Sequence, residues 1–236
     1  MLDPKGRVAM VSGASRGIGR RIAERLLTAG YLVSAGVRTP AGVVGAGMAG
    51  AGGLFVHRYD ATSAIDAKAW AAATVARFGR IDVLVNAAGI SKASPLDSDE
   101  EASLDEMWAV NVKGPLRAIR AALPHLRASG TGRVINVTSL SGKRVTNANF
   151  GYAISKFALI APTQAVRREG WDHGIRATSL CPGFVATDMT AGVSTVPHSA
   201  MTDAGDIAAL AEMLIALPKN ATVGELLVNW KLEPIL

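Results

Sequence analysis

Tyr152 and Lys156 lie four residues apart in Tyr152-Ala153-Ile154-Ser155-Lys156. On a helix that spacing puts both side chains on one face, one turn apart. A free phenol has a pKa of about 10 and is a poor base at neutral pH. An ammonium group one turn away favours the phenolate, which predicts a lowered Tyr152 pKa. Such a pair can move a proton to or from a reacting oxygen. The spacing also occurs on helices with no catalytic task, so its meaning depends on what else the chain supplies.

A second constellation lies near the N-terminus. Arg7-Val8-Ala9-Met10-Val11-Ser12 reads as a short buried strand. It runs into Gly13-Ala14-Ser15-Arg16-Gly17-Ile18-Gly19 and then a helical stretch from Arg20 to Thr28. Strand, glycine turn and helix N-terminus together suit a phosphate-bearing ligand. Glycines let backbone approach a pyrophosphate, and the N–H groups and dipole of the helix favour negative charge. The spacing is G-x-x-x-G-x-G rather than the commoner G-x-G-x-x-G.

Three further segments complete the pattern. Val83-Leu84-Val85-Asn86-Ala87-Ala88-Gly89 is an apolar strand ending in a turn, and Val134–Ser139 is another, ending thirteen residues before Tyr152. Between them stands Asn111, in Trp108-Ala109-Val110-Asn111-Val112-Lys113-Gly114. After Lys156, strand Ala177–Leu180 leads into Cys181-Pro182-Gly183-Phe184-Val185-Ala186-Thr187. In this order and spacing the set resembles the single-domain short-chain dehydrogenase/reductase family, over about residues 5 to 230.

The resemblance implies a catalytic group of Ser139, Tyr152 and Lys156, supported by Asn111. Hydride addition to a carbonyl builds negative charge on oxygen. Tyr152 would donate the proton, and Ser139 would hydrogen-bond the same oxygen. Lys156 would lower the Tyr152 pKa and bind the nicotinamide ribose. In the family, the Asn111 position distorts its helix and holds a water that links the lysine to solvent. On residue type alone, Ser139 is equally readable as a strand-end cap and Asn111 as a helix residue bonded back to a carbonyl.

The same resemblance assigns Gly13, Ser15, Arg16, Gly17, Ile18 and Gly19 to the cofactor. Cofactor choice turns on the end of the second strand, Ser34-Ala35-Gly36-Val37-Arg38-Thr39. An acidic residue there would bind the 2′-hydroxyl of NAD. Val37 stands in its place and Arg38 follows. Arg16 and Arg38 offer two guanidinium groups to a 2′-phosphate, which predicts NADP(H) rather than NAD(H). Asp60 matches the family's adenine-contacting acid, and as a helix N-cap reads nearly as well. Asn86, Ala87 and Gly89 should line the adenosine, while Pro182, Gly183, Val185 and Thr187 should close over the nicotinamide together with Tyr152 and Lys156. The substrate pocket is placed among Ser141, Thr146, Asn147, Asn149, Phe150, Phe184 and residues 188–202, with Met189 and Val193 as walls. Asn147 and Asn149 also read as turn residues.

These residues need a frame that brings strand ends together. Strands are predicted near 7–12, 31–37, 54–58, 81–86, 132–138, 176–181 and 225–230, and helices near 17–29, 63–78, 103–128, 151–169 and 206–217. Alternation of this kind predicts an α/β, Rossmann-type doubly wound parallel sheet of about seven strands with helices on both faces. Ligands of such sheets bind at the carboxyl ends of the strands. The glycine-rich stretch from Ala41 to Gly53 predicts a short or irregular, mobile connection where the family usually has a helix.

Length and composition narrow the classes. At 236 residues with 49% hydrophobic content, a single globular domain over 1–236 is expected. No apolar run approaches the roughly 18 residues that span a membrane. The N-terminal residues lack a signal-peptide core, and Cys181 is the only cysteine, so a cytoplasmic protein is expected. The net charge of +6 is dispersed, without a basic run, which argues against nucleic acid. His57, His125, His173 and His198 lack ligand spacing, so no metal is expected. Cys181 reads as a small packing residue.

The family usually forms dimers or tetramers, and a homodimer or homotetramer is expected. Two departures bear on this. Asn229-Trp230-Lys231 replaces the usual Asp-Gly-Gly, leaving an exposed Trp230 for a contact of its own. Pro162 lies in the helix that normally forms the dimer face, six residues beyond Lys156, so a kink there should spare the active turn. The expected activity is interconversion of a carbonyl and a secondary alcohol. The alternatives are a 3-oxoacyl thioester reductase, with Arg117 and Arg120 docking an acidic carrier, and a catalytically silent cofactor-binding regulator.

Overall fold

Seven short runs become parallel strands, the five inner ones covered on both faces and the two edge strands, the third and the seventh, only half-buried. They are β1 (Val8–Ser12), β2 (Leu32–Val37), β3 (Leu54–Arg58), β4 (Val83–Asn86), β5 (Arg133–Val137), β6 (Arg176–Pro182) and β7 (Glu225–Val228). The computed structural model describes residues 1–42, 52–97, 99 and 101–233. The strand order is β3-β2-β1-β4-β5-β6-β7, every described pair is parallel, and the sheet is the doubly wound kind expected. Burial on both faces explains why the inner strands read as continuous apolar runs rather than alternating ones.

Two layers of helix cover the sheet. On one face α1 (Gly17–Thr28) and α6 (Ala204–Ala216) bring Ile22, Leu26, Ile207 and Ala211 against Val11, Val33, Val85 and Ile135. On the other, α2 (Ala64–Phe78) and α4 (Gly114–Ser129) pack Trp70, Ala118, Ile119 and Leu126 against Met10, Leu84 and Val134. The chain reverses its winding direction between β1 and β4, which opens a crevice at their carboxyl ends.

Helix ends follow local chemistry. Ser63 caps α2 by accepting from the Asp66 N–H at 3.1 Å. Asp60 is therefore not the cap; its carboxylate accepts from the N–H and hydroxyl of Thr62 at 2.9 and 2.7 Å. The helix predicted over 103–128 is interrupted. It comprises α3 (Ala102–Trp108), a wider π turn over Ala109–Lys113, and α4. Single π turns of this kind gather at functional sites, and this one carries Asn111. The long helix α5 (Phe150–Gly170) runs through Pro162 without a break. Of the predicted irregular stretch, Pro40–Gly42 forms one 3-10 turn, and residues 43–51 lie outside the described residues.

Candidate active site

The glycine turn is shaped by close approach. Gly13 has φ +67°, and a Cβ there would sit 2.8 Å from the backbone of Ala88. Gly17 has φ +55°, and a Cβ there would sit 3.4 Å from the Thr187 methyl. Ser12 at the end of β1 accepts from the N–H groups of Ala87 and Ala88 at 3.1 and 3.2 Å, binding the turn after β4 to the glycine turn. Arg16 stands at the N-cap of α1, no side chain among the described residues caps that end, and no acidic residue occupies the first turn. Open N–H groups at a helix start form an anion site. The turn thus suits a phosphate group: the N-cap side chain makes no bond to the first N–H groups of α1.

Arg16, Ser15 and Arg38 are exposed at this edge, and Ile18 is half-buried. Asp60 lies within electrostatic reach of Arg38. Its carboxyl is held below the usual range chiefly by the Thr62 hydroxyl and N–H, and more weakly by Arg38 and Arg58. Arg16 meets Asp188 across the crevice at 3.7 Å.

Asn86 is placed beneath the cleft rather than along it. It is buried, and its amide donates to Asn136 at 2.8 Å. Asn136 donates to Thr163 at 2.8 Å, and Ser179 donates to the same Thr163 hydroxyl at 2.9 Å. This chain of polar contacts ties β4, β5 and β6 to α5. Ala87 and Gly89, half-buried, remain open to the crevice.

The catalytic candidates converge. Ser139 follows β5 and accepts from the Ser141 N–H at 3.0 Å, capping a 3-10 turn over Leu140–Gly142. Ser139 thus caps the turn that follows the strand, and its hydroxyl acts to lower the Tyr152 pKa. That turn rests on α5: a Cβ at Gly142 would be 2.8 Å from the Lys156 carbonyl. Asn149 caps α5, accepting from the Tyr152 N–H at 3.4 Å. Asn111 is buried in the π turn. Its Oδ1 accepts from the Ile90 N–H at 2.9 Å, and its Nδ2 donates to the Ile90 carbonyl at 2.9 Å and to Ser155 at 3.0 Å. It therefore bridges the segment after β4 and α5 instead of bonding back along its own helix.

One expectation fails. Lys156 does not lower the Tyr152 pKa. The tyrosine is half-buried. Burial pushes that pKa up to about 12, opposed only in part by the Ser139 hydroxyl. Burial likewise pulls Lys156 down to about 8, with Cys181 opposing it weakly. The ammonium donates to the Val137 carbonyl at 3.0 Å and lies 5.6 Å from the Tyr152 ring centre. In both groups loss of hydration is the largest cause of the shift.

On the substrate side, Asn147 accepts from the Asn149 N–H at 3.0 Å, and Asn149 donates to Ser91 at 3.2 Å, so both asparagines build the turn before α5. Thr146 and Met189 are exposed, and Ser141, Phe150, Phe184 and Val193 are half-buried. Thr187 and Thr190 shape the segment after β6; Thr190 donates to the Val185 carbonyl at 2.7 Å and accepts from the Thr187 N–H at 3.1 Å. Trp230 is not the free exposed residue expected, because it packs on Phe184 with ring centres 6.0 Å apart. Sequence reasoning missed Ser12, Asn136, Ser155 and Thr163; the available signal was a polar residue inside an apolar run. Cys181 is buried beside the Thr138 hydroxyl at 2.9 Å, as a packing residue would be. The described residues contain no cluster of three potential metal ligands.

Residues 7–197 match the family model described as short chain dehydrogenase. The chain belongs to the short-chain dehydrogenase family. It is 40% identical over 217 residues to an agropine synthesis reductase of Rhizobium rhizogenes; the match covers 92% of this chain and 50% of that protein. The chain thus spans about half the length of that curated relative. It is 34% identical over 190 residues to a 3-oxoacyl-(acyl-carrier-protein) reductase of Staphylococcus aureus, covering 79% of this chain and 77% of the relative. A short chain dehydrogenase from Burkholderia cenocepacia in complex with NADP superposes with a TM-score of 0.88 at 30% identity, over 97% of this chain and 98% of that one. No helix among the described residues is long and apolar enough to cross a membrane.

Proposed function

We propose that this short-chain dehydrogenase interconverts a carbonyl compound and a secondary alcohol with NADP(H), residues 1–236 forming one dinucleotide-binding and catalytic domain. The reading is carried by one observation: Tyr152 and buried Lys156 lie one turn apart on α5, and that turn packs against the 3-10 turn that Ser139 caps.

The bound nicotinamide supplies or accepts the hydride. Gly13, Ser15, Gly17, Ile18 and Gly19 hold the pyrophosphate, and Arg16 and Arg38 meet the 2′-phosphate. Asp60, Ala87, Gly89 and the Asn86 main chain line the adenosine. Pro182, Gly183, Val185 and Thr187 cover the nicotinamide, and Tyr152 and Lys156 reach its ribose.

In reduction, negative charge grows on the carbonyl oxygen. Burial keeps Tyr152 protonated at neutral pH, and an alkoxide is a far stronger base, so the phenol O–H is the proton donor. The Ser139 hydroxyl donates to the same oxygen. Lys156, near 8, exchanges a proton close to neutrality and restores the phenol. Asn111 holds the Ile90 backbone and Ser155, and so keeps this turn of α5 in register with the strand ends.

The test is a side-by-side titration with NADPH and NADH, followed by a carbonyl screen of the wild type and Tyr152→Phe. Preferred NADH binding would sink the Arg16 and Arg38 assignment; binding of neither would sink the enzyme reading. A 3-oxoacyl thioester reductase is a second reading, favoured by the resemblance to the Staphylococcus aureus enzyme. Of its two docking candidates, Arg117 is held by the carbonyls of Ala61 and Thr62, leaving Arg120 exposed. Faster turnover of carrier-bound than of free 3-oxoacyl thioesters would select this reading. A silent regulator would keep its biological effect as Tyr152→Phe. We place the enzyme in the cytoplasm as a homodimer or homotetramer, assembled through the α5 face that exposes Ile154, Phe157 and Trp171.

A further inference from the structure

The segment after β7 departs from the family pattern, and its contacts lead to the active site. Strand β7 pairs with β6 so that Val228 lies beside Pro182, and the Gly183 N–H donates to the Val228 carbonyl at 2.9 Å. The chain therefore leaves the sheet beside Gly183, at the carboxyl edge where β5 hands over to Ser139. A Cβ on Gly183 would lie 2.8 Å from Trp230 Cδ1 and 3.2 Å from Leu140 Cδ1. Trp230 and the residue that follows Ser139 thus meet over the glycine. The Trp230 ring stands at 63° to Phe184, in the edge-on arrangement that aromatic pairs favour.

Two ion pairs pin this arrangement to the serine loop. Lys143 bonds Glu225 at the start of β7 at 2.7 Å. Arg144 bonds Glu233 through both Nε and Nη2, at 3.1 and 2.7 Å, with the two side chains only 12% and 6% exposed. A two-point, buried guanidinium–carboxylate pair fixes orientation as well as position. The two ion pairs and the contact over Gly183 therefore tie the loop carrying the proposed catalytic serine to the segment carrying Trp230, which packs on Phe184.

We infer that Trp230–Glu233 form a strap that holds Phe184 as an aromatic wall beside the reacting carbonyl, so that the enzyme prefers carbonyl compounds with a flat apolar substituent. Trp230 is a positioning residue acting through Phe184. The inference rests on the proposed carbonyl reductase activity.

The test compares acetophenone with 2-butanone, using NADPH and the intact chain. A preference for acetophenone of about tenfold or more in kcat/KM is expected, the scale at which apolar pockets discriminate. Trp230→Ala should raise KM for acetophenone about tenfold, leave 2-butanone within about twofold, and leave NADPH affinity within about twofold. Trp230→Phe should retain most of the preference. In the Phe184→Ala background, Trp230→Ala should cost nothing further, because its effect runs through that ring. Arg144→Glu or Glu233→Arg alone should erode the preference, and the double reversal should restore it; that rescue separates the strap from a mere loss of folding. Equal losses on both ketones, or an unchanged ratio, would overturn the strap while leaving the carbonyl reductase reading intact. NADPH binding without reduction of any carbonyl would overturn both.

Discussion

The catalytic group and the cofactor-selecting rim share one edge of the sheet but are held in opposite ways. Asn111, Ser155 and Lys156 are buried, and each is fixed by hydrogen bonds to other elements. Arg16 and Arg38 are exposed side chains on turns, and the Arg16–Asp188 contact is a long one between two largely solvated groups. Buried polar groups tolerate no loss of a partner, whereas exposed charges cost little to rearrange. The comparison implies that reaction geometry is rigid here and cofactor choice adjustable. Substitutions on the two sides should therefore fail differently.

The largest effect is expected at Tyr152. Tyr152→Phe removes the proton donor but keeps the ring, so turnover should fall about 10²–10⁴-fold. NADPH affinity should fall by no more than about fivefold, since one hydrogen bond to the ribose contributes only about 1 kcal/mol. Steady-state kinetics and a binding titration check both. Retention of more than about a tenth of the activity would remove Tyr152 from the acid/base role.

The rim should respond in binding alone. Arg16→Ala or Arg38→Ala removes hydrogen bonds to a charged phosphate, each about 1.5–3 kcal/mol, so NADPH affinity should fall about 10–100-fold. NADH affinity and folding stability should barely change. Equal losses for both cofactors would mean that neither arginine reads the 2′-phosphate.

The buried side should respond in stability. Asn111→Ala strands the N–H and carbonyl of Ile90 and removes a donor from Ser155, whose hydroxyl keeps its bond to the Tyr152 carbonyl, and should cost about 1–3 kcal/mol in urea unfolding. Activity should fall with it, because Ser155 lies on the turn between Tyr152 and Lys156. A variant as stable as the wild type would show that the π turn keeps its shape without this bridge.

What the sequence made legible follows the same division. Strand ends and glycine turns were readable because they depend on near neighbours: β1 runs straight into Gly13, and β6 into Gly183. The order of motifs then carried the family and the catalytic residues. The long-range polar links were not readable. Asn136 and Ser179 break apolar strands, and nothing local says that Thr163 collects both. Arg144 and Glu233 lie 89 residues apart, so their pairing is a property of the folded sheet. The Tyr152 pKa was misjudged for a related reason: helical spacing predicts who is near, whereas burial decides which charge survives.

That misjudgement yields a pH test. Lys156 falls from 10.5 to about 8 in the folded protein, so between those values the unfolded chain binds more protons and stability rises with pH. Tyr152 rises from 10.0 to about 12, so above pH 10 the folded chain binds more protons and stability falls. From pH 8 to 10 the lysine should add at most about 1.4 kcal/mol per pH unit. Urea unfolding across that range should show this slope in the wild type and lose it in Lys156→Met. Equal slopes would place the lysine in a wetter setting than the Val137 contact implies.

The smallest effect tests the rim from its other side. Asp188 lies 3.7 Å from Arg16, with both side chains about 70% exposed. An exposed ion pair contributes about 0–1 kcal/mol, so its loss should leave stability almost unchanged. Yet a carboxylate beside Arg16 offsets part of the charge that a 2′-phosphate would meet. Asp188→Asn should therefore tighten NADPH binding by about two- to fivefold, the span of that same energy. The gain should shrink as salt rises, because exposed charges are screened over about 10 Å at 0.1 M. In an Arg16→Ala background the gain should vanish, since nothing remains for Asp188 to offset. A gain that persisted there would assign the repulsion to the phosphate itself and remove Arg16 from the account.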